Sequence, residues 1–193
     1  MRSDPRLGPP ALAARAPLPA RLPGAEIVCR RVRSASERAE HLAIRHRIFV
    51  EEQAVFGDSD LDSHDRDRAT IALLGFSDGT VVGTVRLFPL DRDAERWQGD
   101  RLAVLPPYRT LGVGAPLVRC AVATAAALGG RTMTAHIQPA NVTFFQRLGW
   151  SAVGGTEIYA GLPHQAMSIL LPGRREGRAL VRRLEEGING RGP

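Results

Sequence analysis

The segment Arg109-Thr-Leu-Gly112-Val-Gly114 narrows the fold more than any other part of this chain. It joins a short apolar run at 101–105, stopped by Pro106-Pro107, to a long apolar stretch at 115–128, closed by Gly129-Gly130. A further apolar run follows at 131–138. Strand, glycine turn, helix and strand in that order make a crossover unit, which sets its two strands parallel. A helix N-terminus leaves backbone N–H groups unpaired at the positive end of the helix dipole. Gly112 and Gly114 let the backbone close on an anion without Cβ obstruction, and Arg109 adds charge beside it. The same residues also suit a plain tight turn, and the motif alone leaves both readings open. Two other phosphate motifs are excluded. The chain has no lysine for a Walker loop, and Leu117 stands where a dinucleotide fingerprint needs its third glycine.

The flanking pattern predicts a central mixed sheet. Residues 25–32 read as a strand, and Ser34 or Ser36 can cap a helix running to about Val50. An acidic loop, GDSDLDSHDRD, follows. Runs at 69–76 and 80–89 flank Asp78-Gly79, a hairpin signal. Residues 91–98 suit a short helical turn and 141–148 a short helix. The last strands fall at 151–153 and 165–171 with a glycine-rich segment between them, and 179–186 is an amphipathic helix. Hairpin strands followed by a crossover unit give an α/β domain, a mixed sheet flanked by helices. Three parts are expected: a disordered tail at 1–24, a domain at 25–171, and a basic tail at 172–193.

Charge and cysteine content exclude several classes. The net charge is +6, but residues 1–24 and 172–193 each carry +3, so 25–171 is neutral with 16 charges of either sign. A nucleic-acid binder concentrates positive charge on its fold, so none is expected as partner. With two cysteines and no Cys/His cluster, a disulfide scaffold and a zinc finger are excluded, and no metal is implied. The apolar runs are too short to span a bilayer, and the Pro- and Arg-interrupted start lacks a signal-peptide core. A cytoplasmic bacterial protein with no membrane partner is the expectation.

Arg109-x-x-Gly112-x-Gly114 resembles the R/Q-x-x-G-x-G/A acetyl-CoA motif of the GNAT superfamily of N-acetyltransferases. Asn141-x-x-Phe-Phe-x-x-Leu-Gly-Trp150 is similar to that family's N-x-x-x-x-F-Y-x-x-L-G-F segment, and the likeness covers about 27–171. The resemblance implies acetyl-CoA as donor and no metal. It places the pyrophosphate on Arg109, Leu111, Gly112, Val113 and Gly114, with Asn141 nearby. It also implies that Leu102 and Val104, on a splayed strand, offer backbone groups to the pantetheine and thioester. Arg45-x-x-x-Phe49-Val-Glu-Glu-Gln53, Asp62-x-x-Asp65, Arg86, Asp100-Arg101 and Gly161-Leu-Pro-His164-Gln-Ala-Met167 narrow the branch. They are similar to small bacterial acetyltransferases carrying VFVxEQ and G-x-P-H-x-x-M motifs. They are also similar to acyl-homoserine-lactone synthases, and a nitrogen-starvation-associated clade looks similar too. The intact glycine motif favours the acetyl-CoA group.

The implied reaction is direct acetyl transfer to an amine of a small-molecule or amino-acid-like acceptor. Glu52, at the end of the first helix, and His164, before the last strand, are the candidate bases. Family members often carry Tyr where this chain has Phe145, so the acid for the leaving thiolate must lie elsewhere, and Tyr159 is the candidate. His136 reads either as a core residue or as a participant. Arg45, Asp62, Asp65, Arg86 and Arg101 form either a substrate-ordering polar floor or a structural ion network. The acidic loop lacks the Gly and Glu of a calcium hand. Cys29 and Cys120 are expected in the core, which disfavours an acetyl-cysteine intermediate. Three alternatives stand beside this reading: an acyl-CoA-binding sensor without catalysis, a lactone-synthase-like acyltransferase, and nucleic-acid binding through the Arg tails. A homodimer through the apolar stripe at 179–184 also stays open.

Overall fold

The computed structural model describes residues 25–189, so the expectation for 1–24 lies outside the described residues. One eight-stranded sheet runs through the molecule in the order β6-β7-β5-β4-β3-β2-β1-β8. Its strands are β1 (Glu26–Arg31), β2 (Ile71–Ser77), β3 (Thr80–Pro89), β4 (Arg96–Val104), β5 (Thr132–Ile137), β6 (Ser151–Tyr159), β7 (Leu162–Leu170) and β8 (Ile188–Asn189). Every pairing is antiparallel except β4 with β5, as the crossover unit requires. The crossover is α2 (Gly114–Leu128). The mixed sheet flanked by helices follows the sequence expectation.

Local chemistry explains most boundaries. Ser34 caps α1 (Ala35–Arg45) by accepting from the Glu37 N–H at 3.1 Å. The helix then widens into a π-helix over His46–Glu52 instead of ending near Val50 as a plain α-helix. Asp78 and Gly79 both take positive φ, 48° and 78°, as a tight hairpin turn demands. Leu117 brings α2 close onto the sheet, and Gly83 permits this, because a Cβ there would meet Leu117 Cδ1 at 2.9 Å.

Five expectations need correction. Residues 91–98 form a turn and then strand, not a helical turn. The Asp91 carboxylate accepts from the Glu95 and Arg96 N–H groups, and Trp97 is buried on the sheet, so β4 starts at Arg96. The glycine-rich segment after Val153 belongs to a long β6–β7 hairpin that turns at Ala160-Gly161. His164 therefore lies inside β7, not before it. The helix in the basic tail starts at Arg174, giving α4 (Arg174–Glu186), and β8 follows it against β1. Leu184 is buried, and Leu180 and Val181 pack on the core, so the stripe at 179–184 is covered within the chain and is not free for a partner.

The sheet separates two apolar clusters. The larger joins the sheet to α2 and includes Val85, Val118, Ala121, Met133 and Ala135. The smaller, Ile44, Ile48 and Ala103 with Phe49, lies under α1. His41 sits at the α1 face of the sheet with neutral-form hydrogen bonding. Thr84 donates to the Leu73 carbonyl at 2.8 Å, so its hydroxyl is left to accept from His41 Nδ1. His41 Nε2 then faces Arg45 Nη1 at 3.2 Å as acceptor. Burial first, and the nearby Arg45 charge second, push the His41 pKa down to about 3. In the folded state it is therefore neutral, whereas the unfolded chain takes a proton below about pH 6.5. Stability is lost as pH falls from there. Urea unfolding should show His41 contributing a loss of roughly 2 kcal/mol between pH 7 and pH 5. His41→Gln should remove that part of the slope; an unchanged slope would contradict the neutral assignment.

Among the described residues, no helix is long and apolar enough to cross a membrane.

Candidate active site

The β4–β5 pairing is short. It runs through Arg96↔Thr132, Trp97↔Met133 and Gln98↔Thr134, and there it stops. Beyond Gln98 the two strands diverge, while β5 stays paired to β7 as far as Ile137. A cleft of about 150 Å³ opens between them, walled by residues from Phe49 on the π-helix to Trp150 after α3 (Val142–Arg147). The edge of β4 that faces the cleft has no strand partner there.

A bulge drives the divergence. Arg101 and Leu102 together face Val85 on β3, since the register steps from Arg86↔Asp100 to Thr84↔Ala103. Arg101 takes φ +51°, a left-handed conformation costly for a side chain with a Cβ. Its guanidinium is fixed by the Asp60 carboxylate at 3.1 Å, the Asp60 carbonyl at 3.1 Å and Asp62 at 3.3 Å. It also lies 4.5 Å from the centre of the Phe56 ring, which lines the cleft.

These contacts belong to a buried network. Arg45 Nε donates to Asp60 at 2.7 Å, and its two terminal nitrogens reach Asp65 at 2.5 and 3.0 Å. Arg86 is held by Asp62 at 2.7 Å and by Asp100 at 2.6 to 2.8 Å. Burial alone would lower the Arg86 pKa, but hydrogen bonds to Asp100 and Asp62 outweigh it and raise it. Burial likewise opposes ionisation of Asp65, yet the Arg45 hydrogen bond and the Asp62 backbone N–H hold its carboxyl well below the usual range. All five residues singled out in the sequence meet here, joined by Asp60 and Asp100. The acidic loop's Asp60, Asp62 and Asp65 are thus answered by arginines.

The anion turn has the expected shape. A short 3-10 helix at Pro106–Leu111 leads into Gly112, whose φ is +81° and whose Cβ position is open space. The N-terminus of α2 has Val113 as its flanking residue and no side-chain cap. Its backbone donors therefore suit an anionic group. Arg109 is differently engaged from the expectation. Its Nε donates to the Val104 carbonyl at 3.1 Å and its Nη2 grips both Glu52 oxygens at 2.7 and 2.9 Å. Glu52 therefore pairs with the arginine that opens the glycine turn. Leu102 and Asn141 line the cleft; Val104 lies beyond it at the strand end.

Across the cleft, the β6–β7 hairpin brings in an aromatic group. The Tyr159 ring stacks on His136 at 4.1 Å and meets the His164 ring edge-on at 5.5 Å, and all three line the cleft. His164 is buried, and its Nδ1 donates to the Leu162 carbonyl at 2.9 Å, which leaves Nε2 as a free acceptor. His136 Nε2 pairs with Glu157 at 2.9 Å, while its Nδ1 is buried without a partner. Trp150 Nε1 is likewise buried and unpartnered. Glu157 was not visible as a site residue in sequence, because its partner lies on a strand 21 residues earlier. Both thiols are buried in the core, outside the cleft. Burial raises the Cys29 pKa far above its ordinary value and pushes Cys120 up to about 12.

The sequence matches the acetyltransferase (GNAT) family over residues 35–150, a span holding the bulged strand, the glycine turn and α3. The chain belongs to that family. An uncharacterized Bacillus subtilis protein, YyaT, is 26% identical over 140 residues, covering 72% of this chain and 93% of its own length. The crystal structure of Escherichia coli ElaA superposes with a TM-score of 0.64 at 24% identity, over 74% of this chain and 98% of that one. BjaI, a CoA-dependent acyl-homoserine lactone synthase solved with SAM and isopentyl-CoA, gives a TM-score of 0.62 at 20% identity, over 83% and 90%. At those identities the two structures show a shared fold. Family membership carries acyl transfer as the activity class and acyl-CoA as the ligand class. The uncapped α2 terminus, open Gly112 and unpaired β4 edge fit such a ligand.

The bulge makes Asp60 the member on which Arg45 and Arg101 both depend. Asp60→Asn should lower stability by roughly 3 kcal/mol in denaturant titration. Glu95→Gln, which breaks the exposed pair with Arg131, should cost under about 0.5 kcal/mol. Equal effects from the two variants would contradict the bulge assignment.

Proposed function

We propose that this chain is an acyl-CoA-dependent N-acyltransferase that passes the acyl group directly to an amine of a small-molecule or amino-acid-like acceptor, with acetyl-CoA as the simplest donor. The observation that carries the reading is the cleft where β4 leaves β5. A Tyr–His group lines its wall, and the uncapped N-terminus of α2 follows the end of β4 in the chain.

Pyrophosphate is bound by the backbone at Gly112, Val113 and Gly114 and by the α2 dipole. Leu111 closes the turn ahead of them, and Asn141 faces the pantetheine from the start of α3. Arg109 braces the end of β4 through the Val104 carbonyl and offers its charge to the phosphates in exchange with Glu52. The β4 backbone at Leu102 and Val104 polarises the thioester carbonyl and stabilises the oxyanion that forms on attack. His164 Nε2, held as acceptor by its Nδ1–H to Leu162, takes the proton of the attacking amine. Tyr159, next to His164, supplies the proton that the leaving thiolate needs, in place of the hydroxyl that Phe145 lacks. Glu52, paired with Arg109, serves the donor side of the cleft and not as the base. A soluble cytoplasmic setting suits these substrates.

Steady-state assays of thiol release from acetyl-CoA across an amine panel test this. Wild type should turn over with at least one amine class. His164→Gln should lose about 100-fold in kcat/KM and Tyr159→Phe about 10-fold. Full activity in His164→Gln would overturn the base assignment, and no thiol release from acetyl-CoA with any amine would overturn acetyl-CoA as the donor.

A further inference from the structure

Tyr159 ends β6, just before the Ala160-Gly161 turn. The rest of β6 is exposed, and among the described residues it pairs only with β7. Neither apolar cluster includes the Tyr159 ring. Its aromatic contacts are two histidines, His136 face to face and His164 edge-on.

Register shows how side chains on β6 reach β5, two strands away. Glu157 pairs with His164, and His136 pairs with Ala166, two residues along β7 from His164. His136, Glu157, Tyr159 and His164 thus share one face of the sheet. Ala135 pairs with Met167, and both belong to the core cluster on the opposite face, under α2. Strands two places apart in a sheet are separated by about 10 Å. Ala166 puts only a methyl group into that gap. The β6–β7 register steps from Ala152↔Met167 to Thr156↔Gln165, so Val153, Gly154 and Gly155 together face Ala166. The two glycines add no side chain there. The Gln165 amide closes the bulge by donating to the Val153 and Gly154 carbonyls at 3.3 and 3.2 Å. The glycine-rich segment thus leaves room for β6 side chains to cross to His136.

Two side chains make that crossing. Glu157 Oε1 meets His136 Nε2 at 2.9 Å, and the Tyr159 ring lies flat on the imidazole, 4.1 Å away at an angle of 1°. The last torsion of an imidazole is broad, so the ring needs a partner to fix its plane. An ionised carboxylate accepts and does not donate, so Nε2 carries the proton. Nδ1, buried without a partner, then holds no N–H to leave unsatisfied. The hydrogen bond fixes the plane of the imidazole, and the stack passes that plane to the phenol. We propose that Glu157 and His136 are positioning residues for Tyr159: the carboxylate orients the imidazole, and the imidazole holds the phenol in the cleft beside His164. The inference rests on the reading of Tyr159 as the acid, and it adds the pair that places it.

Fluorine spectra test the placement without an identified acceptor. The chain has two tyrosines, Tyr108 and Tyr159, so labelling with 3-fluorotyrosine gives two signals, told apart with Tyr108→Phe. The imidazole ring current should shift the Tyr159 signal away from its position in the unfolded chain. Glu157 is half-exposed, so Glu157→Ala leaves the fold in place and should move the signal back toward the unfolded position. Glu157→Gln, which keeps an oxygen to accept from the Nε2–H, should leave the signal where it is. A signal that does not move in Glu157→Ala overturns the positioning role. Thiol release tests the use of the placement. With an amine that wild type turns over, Glu157→Ala should lose about ten-fold in kcat with the amine KM unchanged, and should cost nothing further in Tyr159→Phe. Glu157→Gln should keep the wild-type kcat. Wild-type kcat in Glu157→Ala overturns the link between the placement and turnover. No thiol release by wild type counts against acetyl-CoA as the donor, and the fluorine shift alone then decides the placement.

Discussion

Arg101 occupies a backbone conformation that a strand arginine does not choose, and Asp60 keeps it there. The aspartate answers Arg101 with both its carboxylate and its carbonyl, and answers Arg45 with the same two groups. Neither arginine has much access to water, so each charge depends on its partners for solvation. The network is best understood as fixing one geometry, since a well-packed apolar substitute can match a buried ion pair in stability. The geometry it fixes is the β4 bulge. With two residues of β4 facing one of β3, the strand turns away from β5 after Gln98, and the cleft exists because of that turn. The loop carrying Asp60 also carries Phe56 into the cleft wall, so the charged cluster is a structural ion network that holds a loop beside the cleft.

In the proposed reaction the cleft divides its work by sheet face and by strand end. Anion binding is assigned there to the end of α2, which has no capping side chain, and proton handling to the β6–β7 hairpin, which supplies Tyr159 and His164 to the face opposite α2. The Arg109–Glu52 pair links the donor turn to the π-helix, and Gln138 reaches Gln53 across the mouth at 3.3 Å. The widened turn at His46–Glu52 sets Gln53 in the cleft wall and Glu52 against Arg109, a use of π-helix geometry that no propensity scale marks.

Much of this was legible in the sequence because glycine and proline punctuate it. Pro106-Pro107, Gly112, Gly129 and the Asp78-Gly79 turn each fix a chain direction, and the element ends that abut them fall within a residue or two of their expected places. Five members of the ion network were visible as charges of alternating sign. Asp60 was hidden among other loop aspartates, since only the fold shows which of them meets Arg101, 41 residues later. His41 gave no signal, because its partner Thr84 is distant in sequence and its role is to accept a hydrogen bond while neutral. The start of β4 was obscured by the run Arg96, Gln98, Asp100 and Arg101, whose polar residues serve turns and ion pairs in place of a solvated strand face. The length of the β6–β7 hairpin was hidden by Gly154 and Gly155, and β6 has almost no buried side chain to reveal a period.

The central claim is that the unpaired β4 edge and the adjoining α2 terminus hold a CoA thioester. Amide resonances followed during titration with CoA test it most directly. Saturable shifts should concentrate at Leu102, Val104, Val113 and Gly114, with little change in the β1–β2 pairing on the far side of the sheet. Saturable binding whose shifts leave residues 99–104 and 112–114 untouched would contradict the account, because the ligand would then lie outside the cleft that the Asp60–Arg101 bulge creates.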